Sequence, residues 1–232
     1  MHNTAFSDAS ALYYNRINFG MLALVKEGPN IIMDLGCASG RLGERLREAG
    51  KAEKIYGVEI FAAAAAEAQK THTAVHVGDI EDLELNYDNY FDYVLCGDIL
   101  EHLRDPYKAV DRIYGWLKPG GSILACVPNV RSYRVWKKLL LNGEWEYVSA
   151  GIMDKTHLRF FTRRSCRRML EAAGFEVYHE KLFVYGSKKN LLSFLTFGLL
   201  KEFLAEQLLC CGLKPIHGKN QSAAAPVSAS AP

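Results

Sequence analysis

The stretch Ile31-Ile32-Met33-Asp34-Leu35-Gly36-Cys37-Ala38-Ser39-Gly40 constrains this chain more than any other. An apolar run ends in an acid, a turn of small residues follows, and Arg41-Leu42-Gly43-Glu44-Arg45-Leu46 reads as the opening of a helix. A strand that feeds a tight turn into a helix presents backbone N–H groups to a bound nucleotide or nucleoside. The spacing is Gly36-x-Ala38-x-Gly40, so the third glycine of a dinucleotide-binding G-x-G-x-x-G turn falls on Arg41. The turn is a poor dinucleotide loop, and the residues beyond it decide its ligand.

Glu59 follows Gly40 by 19 residues and closes a second apolar strand, Ile55-Tyr56-Gly57-Val58-Glu59-Ile60. An acid at that distance, on the tip of the next strand, is placed to hydrogen-bond the hydroxyls of a ribose. A third strand, Ala74-Val75-His76-Val77, ends in Gly78-Asp79-Ile80, and a fourth, Phe91 to Cys96, runs into Gly97-Asp98 and then Glu101-His102. In an open parallel sheet ligands bind outside the carboxyl ends of the strands. Asp34, Glu59, Asp79 and Asp98 therefore converge on one crevice. Such a crevice repels a pyrophosphate, and together with Arg41 it argues against a nicotinamide dinucleotide. It suits a cationic adenosyl ligand with an ammonium group, which points to S-adenosylmethionine.

The blocks Asp34-Leu-Gly-Cys-Ala-Ser-Gly40, Gly57-Val-Glu59, Gly78-Asp79-Ile80, Phe91 to Asp98, Glu101-His102-Leu and Leu117-Lys-Pro-Gly-Gly121 resemble, in order, those of the class I S-adenosylmethionine-dependent methyltransferases. Gly151 to Thr162 and Ala173-Gly174-Phe175 look like the bacterial small-molecule branch of that family. The resemblance implies a Rossmann-like α/β fold with a seven-stranded, mostly parallel sheet, an antiparallel last strand and helices on both faces. It implies that Asp34, Gly36, Cys37, Ala38 and Gly40 form the cofactor turn. Glu59 and Ile60 would lie at the ribose, Asp79 and Ile80 at the adenine, and Gly97 and Asp98 near the methionyl part. Ala38 departs from the glycine that many relatives carry, and its methyl group stands to crowd the cofactor.

At 232 residues and 49% hydrophobic the chain can bury a full core as one α/β domain, spanning residues 1–218. A net charge of +2 is too balanced to argue for nucleic acid as a partner. Six cysteines without a C-x-x-C pair, Cys37, Cys96 and Cys126 among them in or beside predicted strands, read as buried reduced thiols of a cytoplasmic protein. No signal segment is recognisable. Residues 7–26 carry apolar groups at helical spacing, and the resemblance lays that helix across the cofactor cleft, with Tyr13, Tyr14 and Arg16 as candidate cofactor contacts or, in the favoured reading, on packing and surface duty. Asp105-Pro106 caps a helix that closes at Leu117–Gly121 before a strand over Ser122–Val127. A last helix, Arg163 to Ala173, stops at Gly174, and strands over Phe175–Tyr185 and Glu206–Leu213 finish the sheet. The apolar run Leu191 to Leu200 is about half of the ~20 residues a spanning helix needs. It is expected to pack in the core, with peripheral membrane contact as the alternative. Residues 219–232, rich in Ala, Ser and Pro, are expected to be disordered.

Methyl transfer from a sulfonium needs a positioned nucleophile and exclusion of water, and a hydroxyl acceptor gains from a general base. The segment 130–161, with Trp136, Trp145, Tyr147 and Met153, is expected to be the lid over the acceptor. His157 is the first candidate for the base, with Asp154 orienting its ring, and His102 is the rival. Asp98, Glu101 and His102 share a helical face and look like the pattern of metal-assisted O-methyltransferases of the ubiquinone pathway. Asp98 is nonetheless better explained as a cofactor neighbour, and no metal is expected. Arg163, Arg164, Arg167 and Arg168 read as a solvated face, or else as an anion site. The resemblance implies an O-methyltransferase acting on a small saccharide, lipid-linked or quinone-type acceptor. A non-catalytic S-adenosylmethionine-binding module serving a partner enzyme is the alternative.

Overall fold

The computed structural model describes residues 17–216. They build a single seven-stranded sheet of order β3-β2-β1-β4-β5-β7-β6. The strands are β1 (Ile31–Leu35), β2 (Lys54–Glu59), β3 (Ala74–Val77), β4 (Phe91–Gly97), β5 (Leu117–Pro128), β6 (Glu176–Phe183) and β7 (Gln207–Leu213). The first five are parallel, and β7 lies antiparallel between β5 and β6. The central strands are apolar on both sides because both faces are covered. Met33, Val94, Ile123 and Ala125 join one core, and Ile32, Leu95, Leu124 and Cys126 the other. Alternation along each strand thus feeds two cores from one sheet.

On the first face lie α4 (Pro106–Trp116), through Ala109, Val110 and Ile113, and α6 (Arg163–Ala173), through Cys166, Met169 and Leu170. On the second lie α1 (Phe19–Leu24) and α2 (Arg41–Glu48), through Met21, Leu42 and Leu46. The alanine-rich α3 (Ala62–Ala68) packs Ala64, Ala65 and Ala68 beside β2 and β3. The caps match the sequence: Asp105 accepts from the Lys108 N–H at 3.1 Å, and Gly174 ends α6 in the left-handed region at φ 104°. All six cysteines are buried and free.

Two boundaries differ from expectation. The helix predicted over 7–26 is interrupted, because Asn18 is non-helical (φ −82°, ψ 87°) and caps α1 by accepting from the Met21 N–H at 3.1 Å. Tyr13, Tyr14 and Arg16, like the tail 219–232, lie outside the described residues. Strand β5 begins at Leu117 rather than Ser122. Its pairing jumps from Phe91↔Leu117 to Tyr93↔Ser122, so the Pro119-Gly120-Gly121 turn is a bulge inside the strand.

Gly40 shows how tightly the first turn is packed. It is left-handed (φ 81°), and a Cβ there would meet the Ala68 Cα at 2.9 Å. Gly40→Ala should lower stability by roughly 2–4 kcal/mol, from left-handed strain plus overpacking. Urea denaturation checks this, and an unchanged midpoint would contradict the close approach.

Candidate functional site

The turn between β1 and α2 alternates into the left-handed region at Gly36 (φ 70°), Ala38 (φ 49°) and Gly40 (φ 81°). The N–H groups of Gly36 and Cys37 both donate to the Val58 carbonyl, at 2.8 and 3.1 Å, so the turn hangs from the end of β2. Glu59 completes the link. Its carboxylate accepts from the Ala38 N–H and from the Phe61 N–H, each at 2.9 Å.

Beside this turn lies a cavity of about 390 Å³. Asp34, Gly36, Cys37, Ala38, Gly97 and Asp98 line it from the strand ends. Asn18 and Phe19 roof it at the start of α1, while Phe183, Tyr185 and Gln207 wall it from the β6–β7 side. Gly20 makes the roof fit, since a Cβ there would strike the Phe183 ring at 2.5 Å. Asp34 is buried, and its pKa is raised from 3.8 to about 7, first by burial and then by the charge of Glu59. Burial also raises Glu59, against the opposing pull of its backbone hydrogen bonds. Among the described residues, no cation acts on either acid. A site holding two such carboxylates favours a cationic ligand, as a sulfonium with an ammonium group provides.

On the far side of Asp98 the chain builds a second cluster. Asp98 is left-handed (φ 51°), and its Oδ1 accepts from Gln207 Nε2 at 2.7 Å, while Gln207 Oε1 accepts from the Tyr185 hydroxyl at 2.7 Å. The 3-10 turn Leu100–His102 then places Glu101 and His102 against His157. The two imidazoles meet edge to face, with centroids 4.8 Å apart. His102 Nδ1 lies 3.2 Å from the Thr156 carbonyl and His157 Nδ1 3.0 Å from the Ile152 carbonyl. Each Nδ1 therefore carries a proton, and a ring that is neutral keeps Nε2 as acceptor. Burial, then the neighbouring His157, lowers the His102 pKa, so that ring is neutral near pH 7. Glu101 is buried, both its carboxyl oxygens lack a hydrogen-bond partner among the described residues, and burial followed by the charge of Asp98 raises its pKa far above the ordinary range.

A methyltransferase-domain family model matches residues 13–180. The chain belongs to the class I S-adenosylmethionine-dependent methyltransferases. The Nitrobacter winogradskyi protein named ubiquinone biosynthesis O-methyltransferase is 29% identical over 163 residues, covering 66% of this chain and 59% of its own length. A Coxiella burnetii protein of the same name is 27% identical over 185 residues, covering 77% of this chain and 75% of its own. Among solved structures, a SAM-dependent methyltransferase from Archaeoglobus fulgidus superposes with a TM-score of 0.61 at 20% identity, over 88% of this chain and 94% of that one.

Of the methyltransferase residues read from the sequence, Asp34, Gly36, Cys37, Ala38, Gly97 and Asp98 line the cavity. Gly40 caps α2 and Glu59 braces the turn, both outside the lining. Ile60 is exposed and Ile80 buried. Asp79 accepts from the Glu81 N–H at 2.9 Å and stands 3.6 Å from the Arg104 guanidinium. Asp154 does not orient the His157 ring. Its carboxylate is taken by the Thr156 N–H and hydroxyl, at 2.8 and 2.7 Å, so it holds the turn while the Ile152 carbonyl sets the ring. The histidine cluster closes with Glu101 and His157, not with Asp98 as the third member. Trp145 and Tyr147 pack on Phe160 yet stay 43% and 51% exposed, an open shelf rather than an enclosed lining. Arg163 pairs with Glu202 at 2.6 Å and Arg167 with Glu180, so half of the arginine cluster is neutralised and offers no anion site. Sequence reading missed Asn18, Phe183, Tyr185 and Gln207. Only Asn18, as a capping residue, carried a local signal.

The raised Asp34 pKa has a sign that can be checked. Between about 3.8 and about 7 the folded protein holds a proton that the unfolded chain has released. Stability without ligand should therefore fall as pH rises through that window, by up to about 1.4 kcal/mol per pH unit. A cationic ligand favours ionised Asp34, so S-adenosylmethionine affinity should rise over the same window. Thermal unfolding with and without the ligand reads both trends, and parallel pH profiles would show that Asp34 does not face the cation.

Proposed function

We propose that this chain transfers a methyl group from S-adenosylmethionine to an oxygen of a small, quinone-type acceptor in the cytoplasm. The observation that carries the reading is the pair of buried acids, Asp34 and Glu59, on which no cation acts among the described residues, beside a cavity that Asp98 also lines. The turn after Asp98 sets His102 against His157. The name of the relatives supports oxygen and a quinone precursor as acceptor. The small net charge supports a small molecule over nucleic acid.

When bound, S-adenosylmethionine supplies a methyl group already activated by its sulfonium. The protein's share is positioning, dryness and the acceptor's proton. Asp34, Gly36, Cys37, Ala38 and Gly97 form the wall that meets the ligand, and Gly40 fixes the turn. Glu59 uses its remaining lone pairs on the ribose hydroxyls, with Ile60 beside it. Asp79 and Ile80 take the adenine, with Asp79 shared between the amino group and Arg104. Asp98, held by Gln207, meets the methionyl end. The pair His102 and His157 accepts the acceptor's proton at Nε2, and Asp154 keeps the turn beneath them in place.

Glu59→Ala should weaken S-adenosylmethionine binding by about 1.5–3 kcal/mol, the range for hydrogen bonds to a charged group. Calorimetry on a variant shown to be folded measures it, and unchanged affinity removes Glu59 from the ribose. His157→Ala and His102→Ala should each lower turnover on a catechol acceptor, the larger loss reaching roughly 10²–10⁴-fold and marking the base. Cofactor affinity should stay nearly constant. Tight binding with no transfer to any quinone, saccharide or lipid-linked acceptor would favour the binding-module reading.

One observation favours a second reading of the same cluster. Glu101, His102 and His157 bring their ligand atoms within 4.8 Å of one another, the Glu101 oxygens lack partners among the described residues, and both Nδ1–H groups are fixed on carbonyls. Two imidazoles and a carboxylate fit a divalent ion, with carbonyls fixing each ligand ring. A bound ion would lower the pKa of an acceptor hydroxyl. Chelation discriminates. Turnover that survives it supports the metal-free base, whereas loss restored by magnesium or manganese, and abolished in Glu101→Ala, establishes the metal.

A further inference from the structure

The run Leu191–Leu200 does not pack in the core. It forms α7 (Ser187–Leu195) and the turns after it, leading to α8 (Lys201–Leu204), and no side chain of α7 is buried. Phe194 is 78% exposed, Phe197 96% and Leu199 82%. Phe197 also sits in the left-handed region, at φ 49°, followed by Gly198 at φ 79°. A bulky residue there is strained, and nothing in the fold gains from it, because the ring stands in solvent. A strained, fully exposed phenylalanine at the tip of a turn needs an apolar medium outside the protein.

A second helix presents the same character. In α5 (Tyr133–Asn142) only Val135 is buried, and Leu140 and Leu141 are exposed. The two helices are joined: Lys189 lies 5.4 Å over the Tyr133 ring, and Glu206 accepts from Lys189 at 2.6 Å and stands 3.4 Å from Arg134. Exposed lysines accompany the apolar groups, with Lys137 on α5, Lys188 on α7 and Lys201 on α8. This face adjoins the cofactor cavity, because Phe183 lines both that cavity and the groove under Phe194 and Phe197.

We propose that α5, α7 and the turn carrying Phe197 form a docking surface for an anionic lipid bilayer, so that the protein works on the membrane surface. Neither helix is long enough to cross, and among the described residues no helix is long and apolar enough to span. Short helices with apolar crowns and lysine flanks lie in the headgroup region instead. The charge selects the occupant. Face-to-face pairing of two copies would set Lys137, Lys188 and Lys201 of one against those of the other, whereas an anionic surface attracts all of them. Docking this way brings the mouth of the cavity to the bilayer, where an apolar acceptor is concentrated.

Sedimentation of the 232-residue chain with vesicles tests this without cofactor or acceptor. The chain should pellet with vesicles of phosphatidylcholine mixed equally with phosphatidylglycerol, and much less with phosphatidylcholine alone or in high salt. The exposed pair Phe194→Glu and Phe197→Glu should lower the partition coefficient by about tenfold or more. Lys188→Glu with Lys201→Glu should lower it on the anionic vesicles only. Circular dichroism and methyl transfer to a water-soluble acceptor should be the same in the phenylalanine variant as in the parent. Failure to pellet overturns the proposal, as does pelleting that the phenylalanine variant leaves intact. So does a dimer in solution that the phenylalanine variant dissociates while vesicles remain unbound. Because vesicle binding is read apart from catalysis, an inactive chain that docks refutes the proposed reaction and leaves the surface standing.

Discussion

Glu59 accepts from the Ala38 and Phe61 N–H groups, and through these bonds the end of β2 dictates the shape of the turn after β1. The carboxylate is buried and close enough to Asp34 to raise its pKa, so the brace that shapes the turn also charges the site. Gly57 allows the arrangement, since a Cβ there would meet the Cys37 sulfur at 2.6 Å. Structural and binding demands therefore fall on the same residues. The protein alone carries the desolvation cost of two acids, and a cationic ligand offsets it. A cofactor that arrives positive and leaves as a neutral thioether is matched to such a pocket, because the product loses the attraction that held the substrate.

The opposite wall depends on topology. Since β7 runs antiparallel beside β5, its first residue, Gln207, faces Pro128 at the carboxyl end of the sheet. A parallel seventh strand would put its last residue there and send the following chain away. The antiparallel insertion instead brings the whole β6–β7 connection to the site, with Phe183, Tyr185, Gln207 and α7 on it. The Tyr185–Gln207–Asp98 chain then ties that connection to the strand end that carries the acceptor cluster.

This explains what the sequence could and could not disclose. Asp34, Glu59 and Asp98 were legible as strand ends because each closes an apolar run in a local strand–turn pattern, and parallel topology collects such ends. Asp79 ends its strand too but stands by Arg104, outside the cavity lining. The caps at Asp105 and Gly174 were legible for the same reason, being set by neighbours in the chain. Gln207 and Tyr185 reach Asp98 across more than 80 residues, and no local pattern announces that pairing. The fate of Leu191–Leu200 was misjudged because hydropathy reports that a segment avoids water without naming the medium it prefers. His157 was found, but its orienting group was not: a carbonyl at Ile152 carries no side-chain identity to read.

The two halves of the site consequently obey different physics. The half proposed to hold the cofactor is polar, and three left-handed residues within five positions make it stiff, so its acids stand in fixed geometry. The acceptor half holds two imidazoles in edge-to-face contact, a buried Glu101 whose pKa burial raises, and half-exposed Trp145 and Tyr147 around Phe160. Little there is charged enough to discriminate among acceptors by electrostatics. On the proposed reaction, selection comes from shape, from the proton that His102 and His157 would take, and from where the protein meets its substrate. An open aromatic shelf, adjoining an apolar face, is poorly suited to excluding water by itself. If it closes against another apolar phase, the dryness that methyl transfer requires is supplied from outside the chain, and the weakness of the lid becomes a requirement for location.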